Sequence, residues 1–287
     1  MKASREDSAM RQRVLARMSR IARDFSETDP IRKVHVIIAV DRFLARLLSV
    51  TAWGEWAIKG GYAVQLRAPY DARFTDDADI RIQSPIERAY SLVENAVFRD
   101  LEDGFVYELS SSPKRLDGPP GGGMRFPMSA QLFGVELVSF KVDVSSGDAL
   151  TQQPDVVWSD PRVEASGFEP SRFPVYPLVT HFAEKIHAYT LPRSAGNTRV
   201  KDLADLVWLI EREHLPAEDL LTACQATFTR RGAHAWPPGL SRTPRDWGTQ
   251  YAKLRGEMRL GPRTAQEASD YLELFLREIG ARGSSPR

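Results

Sequence analysis

The chain has 287 residues, of which 42% are hydrophobic, including 13 Phe and 6 Trp. That is enough apolar mass for one large domain or two modest ones, and too much for global disorder. The formal net charge is +1, and no run approaches the roughly 18 consecutive apolar residues that cross a bilayer. A single cysteine, Cys224, excludes a disulfide scaffold and cysteine-based zinc sites. With a charged amino-terminal segment lacking an apolar signal core, a cytoplasmic protein with no membrane partner is expected.

Residues 8–25 carry Met10, Val14, Met18, Ile21 and Phe25 at helical spacing. Asp29-Pro30 reads as an N-cap followed by an N1 proline, and the helix it opens runs through Ile37, Phe43 and Leu47 to about Val50. Trp56-Ala57-Ile58 is a short apolar run ending in Lys59-Gly60-Gly61, and Tyr62 to Arg67 reads as a short helix. A strand is predicted at Ala78 to Ile82, a helix from Pro85 to Phe98, and an alternating strand at Phe105 to Leu109. Residues 111–123 form a breaker-rich loop. Strands follow at Met124 to Leu132 and Val135 to Val144, with Gly134 in the turn between them. Residues 151–177 read as proline-punctuated and irregular. From Leu178 the pattern is helical, at about 178–190, 199–213, 216–230, 244–257 and 264–280. The expected organisation is a helical lead-in over 1–50, an α/β core over 51–150 and an α-helical domain over 178–280.

The near-neutral total conceals a basic, acidic, basic order along the chain. Residues 71–110 hold ten acids against four Arg, and residues 225–263 hold eight Lys/Arg against Asp246 and Glu257. Ordinary solvated helix faces give such a pattern, and so does a metal site flanked by polyanion-binding surfaces. In the strand following Thr75, Asp77 and Asp79 lie two apart and so project from one face. Adjacent carboxylates repel, and hard oxygen ligands so placed suit Mg²⁺; the plain alternative is a solvated turn. Asp143 shares a face with Ser139 and Lys141, opposite Phe140, Val142 and Val144. Pairing beside the Asp77/Asp79 strand brings three carboxylates together, as two-metal phosphoryl transfer uses; otherwise Asp143 pairs with Lys141 or Arg81 at the surface. Glycines at Gly60 and Gly61, opening a helix, allow backbone amides to face an anion, or simply make a turn. Trp236, Trp247 and Tyr251 lie among Arg230, Arg231, Arg242, Arg245, Lys253, Arg255 and Arg259. This suits an RNA surface, or a tryptophan-anchored helical subdomain with a basic exterior.

Lys59-Gly60-Gly61-Tyr62-Ala63-Val64-Gln65-Leu66-Arg67, followed by Arg73-Phe74-Thr75-x-Asp77-x-Asp79, resembles the first motif of the AbiEii/AbiGii toxin family. Phe182-Ala183-Glu184-Lys185-Ile186-His187-Ala188 resembles its lysine helix, and Arg199-Val200-Lys201-Asp202-Leu203-Ala204-Asp205-Leu206 its basic-Asp-x-x-Asp-Leu helix. The motifs span about residues 31–211 in the family's order, and the helical lead-in resembles MenT-type members. The resemblance implies an α+β fold, a DNA polymerase β-like nucleotidyltransferase core with a helical C-terminal half. It also implies a type IV toxin with a cognate antitoxin. MenT-type members transfer nucleotides from an NTP to the 3′ end of tRNA, blocking aminoacylation, so NTP, tRNA or another RNA acceptor, and Mg²⁺ or Mn²⁺ are implied here. Residue by residue it implies metal at Asp77 and Asp79, and more loosely Asp143. It implies a nucleotide contact at Lys185 and, with Thr75 just before the metal pair and Lys59, Gly60 and Gly61 as the phosphate cradle, catalytic roles for Asp77, Asp79 and Lys185. Asp202, as a catalytic acid, and Asp205, at the nucleotide, both fall in the last motif, and which of the two is functional stays open. The long spacing from Gly61 to Asp77 and the extra Asp76 depart from the wider superfamily. A transferase modifying a protein hydroxyl and a catalytically inactive nucleotide-binding regulator are the alternative readings.

Overall fold

The computed structural model describes residues 5–23, 29–194, 196–237 and 239–283; Phe25 of the predicted first helix lies outside them. The chain divides into two compact units, one of residues 1–69, 74–147 and 154–175, the other of 70–73, 148–153 and 176–287.

In the first unit, α1 (Arg5–Ala22) buries Val14 and Met18. Helix α2 (Pro30–Ser49) begins where the Asp29 carboxylate accepts a 3.3 Å bond from the Arg32 amide, with Pro30 in the first turn. Its apolar residues recur on nearly every side and are buried, so α2 is a spine of the core rather than a surface helix. Then come β1 (Trp56–Lys59), α3 (Gly60–Arg67), β2 (Asp77–Ile82), a 3-10 turn at Ile86–Arg88 and α4 (Ala89–Phe98). The remaining elements are β3 (Phe105–Leu109), β4 (Lys114–Leu116), β5 (Gly123–Leu132), β6 (Val135–Ser146), β7 (Asp155–Trp158), α5 (Pro161–Ala165) and β8 (Arg172–Val175).

Among the described residues, eight strands form one mixed sheet in the order β3-β5-β6-β2-β1-β8-β7, with β4 added to β5. The pairs β2–β6 and β1–β8 are parallel and the others antiparallel. One face of the central strands carries Ile58, Ile80, Phe126, Met128, Val142 and Val144, all in the core with Val34, Ile37 and Phe43 of α2. The alternation along β2 therefore puts Ala78, Ile80 and Ile82 inward and Asp77, Asp79 and Arg81 on the opposite face.

Two segments differ from the sequence reading. The loop 111–123 contains β4, and residues 151–177 contain β7, α5 and β8, with Pro174 inside β8. These strands are only three or four residues long, too short for a periodic signal, and tertiary pairing creates them.

The second unit holds α6 (Leu178–Thr190), α7 (Val200–Arg212), α8 (Ala217–Arg231), α9 (Trp247–Met258) and α10 (Ala265–Gly283). Helix α6 packs on α7 and α8, and α10 packs on α7, α8 and α9. None of the helices is long and apolar enough to cross a membrane, among the described residues.

Candidate active site

The polar face of the sheet is built by register. In the parallel β2–β6 pair, Asp77 lies opposite Lys141 and Asp79 opposite Asp143. In β5–β6, Arg125 lies opposite Asp143, and in β1–β2, Lys59 lies opposite Asp79. Directly opposed residues share a face, so Asp77, Asp79 and Asp143 stand together with Lys59, Arg81, Arg125 and Lys141.

Arg125 sits opposite Asp143 because of a bulge. The hairpin closes through Phe133 and Gly134, both at positive φ, which fits a type I′ turn. Pairing runs Leu132↔Val135 and Gln131↔Glu136, then shifts to Ala130↔Val138. Without that extra residue in β6 the shift would be absent, and Arg125 would pair with the core residue Val142. Arg125 donates from Nε to Asp143 Oδ1 at 2.7 Å and from a terminal nitrogen to Oδ2 at 2.6 Å. That hydrogen-bonded carboxylate, helped by the charges of Asp77 and Asp79, holds the guanidinium still more firmly protonated than usual.

Asp77 Oδ1 is shielded from solvent and has no hydrogen-bond partner; Lys141 Nζ stands 3.3 Å away. A shielded carboxylate oxygen held only by an ion pair to a half-exposed lysine fits a ligand to a hard cation. Asp79 lies against the start of α3. Gly60 adopts φ 65°, and a Cβ there would fall 1.9 Å from Asp79 Oδ2. Gly60 thus permits both the sharp strand-to-helix turn and the close approach of Asp79. Thr75 Oγ1 accepts a 3.3 Å bond from the Asp77 amide, and the Thr75 amide donates to Gln65 Oε1, so Thr75 fixes the entry into β2. The extra acid Asp76 turns toward Arg32, 3.2 Å away in an exposed ion pair.

The second unit gathers Lys185, Asp202 and Asp205 with Arg73. Lys185 Nζ donates to Asp205 Oδ2 at 2.6 Å and lies 3.4 Å from Asp202 Oδ1. Arg73 binds both oxygens of Asp205, at 2.9 and 2.8 Å. Lys185 is 5% exposed and Asp205 0%, so Lys185 is a buried, paired ammonium and not a surface lysine. Burial opposes the charged form of each. The surrounding opposite charges outweigh it, raising the Lys185 pKa and holding Asp205 far below the usual carboxylate range. Asp205 therefore has both oxygens bonded within the protein. Asp202 keeps an exposed edge near Arg199, 3.6 Å away.

The aromatic residues among the C-terminal arginines divide. Trp247 and Tyr251 are buried in the helical unit, which overturns the reading of them as an RNA-stacking surface; they anchor α9. Trp236 is half-buried, its ring 5.2 Å from that of Phe228. Arg231 is tied to Asp148 at 2.7 Å and stands 3.7 Å from Glu184, whereas Arg242, Arg245, Lys253 and Arg255 are exposed. A groove of about 730 Å³ is lined in part by Arg193, Asn197, His234 and Arg242, with no acid among its described lining residues. His181 and His187 are buried, and no group of three or more His, Cys, Asp or Glu is placed to hold a metal ion, among the described residues.

Sequence reasoning passed over Arg125 and gave Arg73 no role. The alternation of Met124, Phe126 and Met128 marks Arg125 as outward-facing, but only the bulge aligns it with Asp143.

The family model for the nucleotidyl transferase AbiEii toxin of type IV toxin–antitoxin systems matches residues 42–274. Among solved structures, MenT4, a nucleotidyltransferase toxin from Mycobacterium tuberculosis, is similar with a TM-score of 0.61 and 16% identity. The match covers 94% of this chain and 99% of that one, and it establishes a shared fold. The antibiotic-resistance factor ANT(2'')-Ia is also 16% identical, over 69% of this chain and 93% of that one, with a TM-score of 0.37, too low to define a common fold. No curated protein matched by sequence.

Proposed function

The chain belongs to the AbiEii nucleotidyltransferase toxin family of type IV toxin–antitoxin systems, and from that premise we propose that it transfers a nucleotide from an NTP to the 3′ end of an RNA, with tRNA as the acceptor, in a Mg²⁺-dependent reaction. A cognate antitoxin restrains it. The observation that carries the reading is the sheet face where Asp77 and Asp79 project together, with a shielded Asp77 oxygen ion-paired to Lys141 and Asp79 drawn against Gly60.

On this reading Asp77 and Asp79 hold the cation. Mg²⁺, when bound, neutralises the triphosphate and lowers the barrier to hydroxyl attack. Lys59, Gly60 and Gly61 lie at the start of α3, where backbone amides favour a phosphate, and Thr75 keeps β2 in place. The acceptor 3′-oxygen forms a bond to the α-phosphorus as the bond to the bridging oxygen breaks. Pyrophosphate leaves, and the hydroxyl proton passes to solvent. Within the second unit, Lys185 has Asp202, its weaker partner, to exchange for a phosphate, while Asp205, itself held by Arg73, keeps the ammonium placed. The acid-free groove of Arg193 and Arg242, with exposed Arg245 and Arg255 nearby in sequence, favours a polyanionic acceptor.

The test is incubation of purified protein with each labelled NTP, Mg²⁺ and total RNA or cell lysate. Label on small RNA supports the reading, and label on protein assigns a protein hydroxyl as acceptor. No transfer from any NTP leaves a nucleotide-binding regulator. Asp79→Asn should cut transfer by at least the roughly 10–100-fold that loss of even an outer-shell partner costs a metal site, without lowering the melting temperature.

A further inference from the structure

Three carboxylates on one sheet face suggest a site for two divalent cations, but the charges around them do not balance that way. Asp143 has each of its oxygens in a short, charge-assisted bond to Arg125, at 2.7 and 2.6 Å. A bidentate guanidinium–carboxylate pair is directional and strong; it engages one lone pair on each Asp143 oxygen and sets a fixed positive charge beside them, which disfavours a metal ion there while the pair holds. The register makes the pair a fixed part of the sheet, because Arg125 and Asp143 are directly opposed on β5 and β6. Asp79 is the opposed neighbour of Asp143 on the other side, on β2. A guanidinium thus occupies the flank where a second cation would sit.

Asp77 is arranged differently. Among the described residues the Asp77 carboxylate is ion-paired with Lys141, whose side chain is 45% exposed and whose Nζ stands 3.3 Å from Oδ1. An exposed lysine on a flexible stem gives way easily to a divalent ion. Resting on the nucleotidyltransferase reading, we propose that this site takes a single divalent cation at Asp77 and Asp79, and that Arg125, held by Asp143, is the second positive centre in place of a second metal ion. Asp143 is then a positioning residue for Arg125 and not a metal ligand. The reacting phosphates, when bound, complete the coordination of the one ion, as Mg²⁺ sites with one or two carboxylates use them.

The experiment titrates Mn²⁺ alone into the full-length protein and follows the electron paramagnetic resonance signal of the free ion. The wild type should bind one ion per chain, and Asp79→Asn should lose it. Arg125→Ala releases Asp143 and should gain a second ion, whereas Arg125→Lys, which keeps a cation there, should stay at one. Asp143→Asn should retain the wild-type ion. If the wild type binds no better than Asp79→Asn, the metal reading fails and the inference falls with it. If Asp79→Asn loses the ion but Arg125→Ala gains none, or Asp143→Asn loses it too, the metal reading stands and the role given to Arg125 is overturned. Thermal melts monitor each fold. Should Arg125→Ala not fold, the Asp143→Asn titration decides alone, retention supporting the proposal and loss overturning it.

Discussion

Asp205 is fully buried, yet it carries a full negative charge because Arg73 and Lys185 surround it. Removing it would leave two cations in a low-dielectric interior. Asp205→Ala should therefore cost about 3–5 kcal/mol of stability, read by urea unfolding. Asp202→Ala removes a longer 3.4 Å contact and leaves Lys185 paired with Asp205, so it should cost less, about 1 kcal/mol. The pH dependence has a definite sign. The folded-state pKa of Asp205 is depressed, so its stabilisation is present above the ordinary carboxylate range near 4 and is lost as pH falls below it. A variant without Asp205 should be less stable at neutral pH and lose part of that acid sensitivity. The sequence shows Asp202 and Asp205 one turn apart but not which of them is inside. That depends on Arg73, 132 residues before Asp205. Asp77 and Asp79 were legible for the opposite reason, since a two-residue period within one strand needs no distant partner.

Secondary elements set the precision of the site. The β1–α3 junction turns on Gly60, whose positive φ and contact with Asp79 leave no room for a side chain. Gly60→Ala should lower stability by roughly 1–3 kcal/mol through backbone strain and should also weaken Mn²⁺ binding by displacing Asp79. Melting and Mn²⁺ titration on one sample check both effects. Intact Mn²⁺ affinity would mean that Asp79 lies outside the metal site. The long helices and the β5–β6 hairpin follow from periodicity and a Gly134 turn. The bulge between Ala130 and Gln131 does not, because nothing in the local residues announces a one-residue shift. Nor do β7 and β8, whose few residues become strands only when β1 offers a free edge.

For the whole molecule, family membership carries a cellular expectation. Expression of the wild type alone should arrest growth, and Asp79→Asn at the same level should not, as counted by colony formation. Unimpeded growth with soluble, abundant wild type would count against toxicity while leaving transfer activity open. The C-terminal helices look from the sequence like a separable half, but the unit they form also takes in residues 70–73 and 148–153. A fragment starting at Tyr176 would carry Asp205 without Arg73, and Arg231 without Asp148. The gene is therefore not divisible at that point into interchangeable cassettes. A recombination event that brought in a new helical half would have to rewrite three stretches of one reading frame together.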